Sequence, residues 1–137
     1  MSEENVEIVR RVYEAAARRD SEAILTLYDA EVEIDVSRTH RALMQGVYTG
    51  TGHEGLRKWF REWHEAWENV EYDVEELIDG ADDVIGVVTV RGRGRGSGAD
   101  VGLTRHAGLW TIREGKVVRV VWFQSRDDAL EAAGLSE

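Results

Sequence analysis

The chain has no cysteine in its 137 residues. That removes disulfides, thiolate metal sites and cysteine nucleophiles together. A reducing cytoplasm is the expected home. Proline is absent as well, where ordinary usage of about 5% would give roughly seven; nothing in the sequence accounts for it. No apolar run approaches the ~18 residues of a membrane span. The opening "MSEENVEIVRR" is acidic and then amphipathic, not the pattern of a signal peptide. Net positive charge is missing too. The formal charge is −10, and a chain this acidic repels polyphosphate unless its cations are concentrated in one place.

What is present is an ordinary globular balance, 42% apolar and 32% charged, in a length that makes one domain over residues 1–137 with a real core. "NVEIVRRVYEAAARR" puts Val6, Val9, Val12, Tyr13 and Ala16 on one helical face. Asp20 or Ser21 caps a short second helix with Ile24, Leu27 and Tyr28 inward. "EVEIDV" alternates as a strand, with Val32, Ile34 and Val36 on one side. Residues 37–52 read as irregular. "HEGLRKWFREWHEAWEN" predicts a third helix, its stripe of Leu56, Trp59, Phe60, Trp63 and Trp67 packed on something large and apolar.

Four strands follow: "VEYDVEELI", "VIGVVTVRGRGRG", "VGLTRHAGLWTI" and "KVVRVVWFQ". They are joined by turns at "DGADD", "SG" and "REG", the last with Gly115 left-handed. Ser125 caps a final helix, "RDDALEAA", closed by Gly134.

Arginine–glycine alternation in "VRGRGRGSG" often marks nucleic-acid-binding segments, but here it fits a folded strand. Period-2 alternation gathers Arg91, Arg93 and Arg95 on one face, opposite Glu71, Asp73 and Glu75 of the preceding strand. The other face is smooth, with Val88, Val90 and then glycines, and glycine within a strand marks a bend or a close approach. Stacking aromatics of the kind that grip single strands are missing between the arginines. Nucleic acid is therefore not an expected partner.

The same parity carried through the turns sets Val88 opposite His106 and Val90 opposite Thr104. It gathers Val88, Val90, Thr104, His106, Trp110, Trp122 and Gln124 on the concave face. His106 is the one titratable group deep among them. It reads either as a general acid or base tuned toward neutrality or as a core histidine satisfied by one hydrogen bond. Gly108 and Gly86 are expected to leave room beside it. The opposite face mixes Ile85, Val87, Leu109, Val121 and Phe123 with charges, too apolar to leave bare. His53 and His64 lie eleven residues apart, about 16 Å along a helix, too far to share one ion. Neither a metal nor another cofactor is expected.

The segments "VRRVYEAAARRDSEAILTLYDAEVEI", "YTGTGHEGLRKWF", "HAGLWTIREGKVVRVVWF" and "RDDALEAAGL" together resemble the SnoaL-like group of the nuclear transport factor two superfamily. Ketosteroid isomerase, limonene epoxide hydrolase and the SnoaL polyketide cyclases belong to the same superfamily. The resemblance implies an α+β cone: a curved antiparallel sheet wrapped around three N-terminal helices, with a ligand pocket between them and a homodimer through the convex face. It implies a small hydrophobic molecule as ligand and either cofactor-free acid/base catalysis of isomerase, cyclase or hydrolase type, or binding without catalysis.

Carried over residue by residue, the isomerase's aspartate base falls at Ile34, with Asp35 one position later. Its tyrosine and sheet acid fall at Val12 and Gly108, with Tyr13 adjacent to the first. No R-x-D arrangement of the hydrolase kind lies on the sheet. His106, Asp35 and Tyr13 are the catalytic candidates. Trp110, Trp122, Gln124, Thr104, Val88 and Trp63 are the candidate ligand contacts.

Overall fold

A computed structural model describes residues 2–38, 49–80, 83–94 and 100–134. Two helices open the chain, α1 (Ser2–Ala17) and α2 (Ser21–Leu27). Asp20 caps the second, its carboxylate accepting the Ala23 amide at 3.1 Å. The chain turns extended at Tyr28 into β1 (Tyr28–Arg38). A short β2 (Thr49–Thr51) leads into α3 (Gly52–Ala66). Then come β3 (Trp67–Gly80), β4 (Asp83–Gly94), β5 (Asp100–Arg113) and β6 (Lys116–Phe123), and finally α4 (Arg126–Ala132), capped by Ser125.

The strands form one six-stranded sheet in the order β2-β1-β6-β5-β4-β3. All neighbours are antiparallel except β1 and β6, which run parallel. The antiparallel meander of β3 to β6 and the α+β class match the sequence reading. Trp67, placed in the third helix by its spacing, instead begins β3. The β5–β6 hairpin turns through Glu114 and Gly115, both left-handed at φ 53° and 76°, the geometry that matches the twist of the flanking strands.

Register decides which side chains meet. Val88 pairs with His106, Val90 with Thr104 and Gly86 with Gly108, as parity requires. Glu71 pairs with Arg91, their side chains 3.9 Å apart, so this arginine answers an acid across the strand; Arg95 lies outside the described residues. The β5–β6 pairing departs from a regular hairpin. A shift between Thr111 and Ile112 puts Trp122 opposite Gly108 and Val120 opposite Trp110, one residue from a count back from the Arg113–Lys116 pair. That extra residue brings Val120 and Trp122, rather than Arg119 and Val121, to the same side as Val117.

Two apolar clusters result. The larger lies between the concave face and the helices and includes Val9, Val12, Ile24, Ile34, Leu56, Val88 and Trp110. The smaller lies on the outer face, where Ile85, Val87, Leu109, Val121 and Phe123 are buried beneath Ala129 and Leu130 of α4. The outer face is therefore not bare within one chain. Its covering helix is tied down by Arg126, which donates to both Glu76 carboxylate oxygens at 2.8 and 3.3 Å.

Candidate functional site

A cavity lies under the sheet, walled by all the layers. Helix α1 contributes Val12, Tyr13 and Ala16, and α3 contributes Leu56 and Phe60. The sheet contributes Tyr28 and Ile34 from β1, Tyr72 from β3, Val90 from β4, His106 and Trp110 from β5, and Val120 and Trp122 from β6. None of these is Asp, Glu, Lys or Arg. The free volume is about 50 Å³, room for a few waters, each needing ~10–15 Å³.

The aromatic rings interlock edge to face. Trp110 stands against Tyr13 at 5.7 Å, Tyr28 at 6.2 Å and Trp122 at 5.5 Å between centroids. Trp122 in turn meets His106 at 4.9 Å. Such pairs add to simple burial and hold the wall rigid. Glycine makes the stacking feasible. A Cβ at Gly108 would lie 2.8 Å from Trp110 Nε1 and 2.8 Å from Trp122 Cζ3. At Gly86 it would lie 3.3 Å from the Tyr13 ring and hydroxyl. The two glycines were expected to leave empty space beside His106; instead they seat three aromatic rings. An unfilled hole costs stability, and here rings fill it.

Three buried polar atoms on this wall have no hydrogen-bond partner among the described residues: Tyr13 Oη, His106 Nδ1 and Trp110 Nε1. Burial alone pulls His106 down from 6.5 to about 4, since desolvation disfavours the imidazolium. The ring is neutral at physiological pH. This corrects the expectation of a histidine tuned near neutrality: among the described residues that line the cavity none is a carboxylate that would raise it. Burial drives the Tyr13 phenol far above its ordinary value. The Trp110 N–H opposes part of that rise, without completing a hydrogen bond, and Tyr72 reinforces it. Tyr28 is raised for the same first reason. The cavity thus presents neutral groups: a phenol, an indole N–H and an uncharged imidazole.

Of the residues proposed from sequence, His106, Tyr13, Trp110 and Trp122 meet at this cavity. Val88 is fully buried in the same core, paired with His106. Asp35 is not brought there. Its neighbour Ile34 lines the cavity, and Asp35 pairs with Val121, a residue of the outer cluster. No bulge rescues the one-residue offset from Ile34. Gln124 is exposed, one residue beyond the end of β6 at Phe123. The side chains of Thr104 and Trp63 lie outside what is described, as does His40.

Tyr28 and Tyr72 were not foreseen as site residues. Their only signal was apolar spacing in the second helix and in the "VEYDV" strand, which is equally the signal of plain core. His53 serves the scaffold instead, donating from Nε2 to the Tyr28 carbonyl at 3.0 Å. Among the described residues no three His, Asp or Glu gather in a way that could hold a metal ion, and no helix is long and apolar enough to cross a membrane.

Solved structures share this architecture. A nuclear transport factor two-like protein of unknown function from Burkholderia pseudomallei aligns with TM-score 0.76 at 19% identity, over 93% of this chain and 95% of its own. TerC, co-crystallised with polyporic acid, aligns with TM-score 0.77 at 21% identity, over 96% and 98%. A protein of ketosteroid isomerase-like fold from Catenulispora acidiphila, in complex with trimethylamine, gives 0.72 at 22%, over 94% and 93%. At these identities the likeness establishes the fold. No curated protein matches the chain. The model of the SnoaL-like domain matches residues 9–120, which takes in Tyr13, Tyr28, His106 and Trp110, and the chain belongs to that family.

Proposed function

We propose that this protein binds a compact, largely apolar molecule carrying a carbonyl or hydroxyl oxygen in the cavity beneath its sheet. Tyr13 and Trp110 serve as neutral donors and His106 as the acceptor. The carrying observation is the set of three unpartnered buried polar atoms around one apolar cavity. A buried polar group left unpaired costs about 1–3 kcal/mol. A ligand oxygen would recover that cost at up to three atoms, whereas a hydrocarbon would recover none.

A second reading, cofactor-free proton transfer, is favoured by the kinds of atom involved. A base would take a proton from a carbon beside a ligand carbonyl. The oxygen then gains negative charge, which the Tyr13 hydroxyl and Trp110 N–H are suited to meet. The same imidazole returns the proton to oxygen or to another carbon. Against it stands the low basicity of His106, a weak proton acceptor until a ligand anion lies beside it.

Thermal-shift screening of ring compounds with and without an oxygen tests binding. Oxygenated members should stabilise the protein more, and His106→Leu and Tyr13→Phe should lose that difference. Equal stabilisation by hydrocarbons would refute the reading. Incubating binders in deuterated water and following carbon-bound hydrogen by NMR separates catalysis from binding alone. The homodimer implied by the family stays part of this proposal, with its interface on or around α4, since α4 covers the outer apolar face. Sedimentation giving only the 15.5 kDa species would remove it.

A further inference from the structure

The inner cavity is small for a ring. Its ~50 Å³ is about a third of the ~150 Å³ that accepts benzene in an engineered cavity. Next to it, between α1 and β3, lies an open groove of about 440 Å³. Tyr13 and Tyr72 border both spaces. Tyr72 borders a third, smaller void between α1 and the other helices as well.

We propose that cavity and groove are two compartments of one ligand site, divided by Tyr72, and that the ligand is a ring with a tail ending in a cation or hydrogen-bond donor. This rests on the binding reading above and extends it.

Tyr72 is the partition able to move. Tyr13 is held by the missing Cβ of Gly86 beneath it and by the edge of Trp110. Tyr72 is only partly buried, meets Tyr13 in a looser tilted contact at 6.5 Å, and sits on β3, the edge strand of the sheet. Register shifts flank it on both sides, between Glu68 and Glu71 and between Val74 and Glu76, and Asn69 is left-handed at φ 55°. Such irregularities re-aim side chains near binding sites.

The groove's charge selects the tail. Its acids are Glu14, Glu75 and Glu76, and its base is Arg10. Arg10 pairs with Glu7, Glu75 with Arg105, and Glu76 with Arg126. Glu14 has no ion-pair partner among the described residues. Val74, 36% exposed, supplies an apolar floor.

Tryptophan quenching in stopped flow tests this with a hydroxynaphthyl-butylamine, the matching hydroxynaphthyl-butanoic acid, and methylnaphthol without a tail. The amine should bind about tenfold tighter than the acid, a difference of ~1.4 kcal/mol. Glu14→Gln should remove most of that preference. Tyr72→Ala should speed entry of both tailed probes about tenfold while Tyr72→Phe, which keeps the ring, leaves it unchanged. Circular dichroism checks that both variants fold. Equal affinity for amine and acid, or entry rates indifferent to Tyr72→Ala, would overturn the two-compartment site. If the methylnaphthol still binds in that case, the binding reading survives alone. If no probe binds wild type or Tyr72→Ala, both fall.

Discussion

Lowering the pH from 7 to 4.5 should cost this protein stability through one side chain. His106 is 4% exposed, stands edge-on to Trp122, and has no partner at Nδ1 among the described residues. Its pKa falls from 6.5 unfolded to about 4 folded. Between those values the unfolded chain binds more protons than the native one, so stability falls as pH drops through the window. The gap corresponds to roughly 3 kcal/mol at ~1.36 kcal/mol per pH unit, most of it lost by pH ~4.5.

Urea unfolding across pH 4 to 7, on wild type and on His106→Leu, isolates this contribution from the carboxylates, which titrate in both proteins. The difference between the curves should widen steadily below pH ~6.5. Imidazole carbon-bound proton shifts give a direct check, with one of the four histidines titrating near 4 and missing from the variant. Parallel stability curves, or a His106 resonance titrating near 6.5, would refute the reasoning and with it the neutral character of the cavity.

Gly108→Ala should destabilise by about 1–3 kcal/mol, because its Cβ meets two rigid indoles rather than flexible chain ends; thermal unfolding should show a drop of several degrees. Tyr13→Phe removes an unpartnered buried hydroxyl and should raise stability in urea by about 1 kcal/mol while weakening binding of oxygenated ligands. Arg126→Ala cuts the bond from α4 to Glu76, so hydrogen exchange should quicken in residues 126–133 and leave the amides of β4 and β5 unchanged.

Local pattern was enough to determine the helices, the meander, the left-handed turn at Gly115 and the inward parity of Val88, His106 and Trp110. Each follows from spacing within one element or across one tight turn. The arginine stripe was readable for the same reason, since Glu71 lies one hairpin away from Arg91.

Tertiary structure decided what spacing cannot carry. β6 stops at Phe123, one residue short of Gln124, and the bulge near Thr111 turned Val120 and Trp122 toward the cavity, where an extra residue in a ladder leaves no mark in a period-2 pattern. Ile34 rather than Asp35 faces the cavity because β1 pairs in parallel with β6, a contact across more than eighty residues. Gly86 and Gly108 read as holes along the chain. Only the approach of Tyr13 and of two tryptophans, one of them from another strand, turned them into seats for aromatic rings. The charge state of His106 follows the same way: burial and the absence of a carboxylate among the described cavity-lining residues are properties of its neighbours in space, not of "TRHAG".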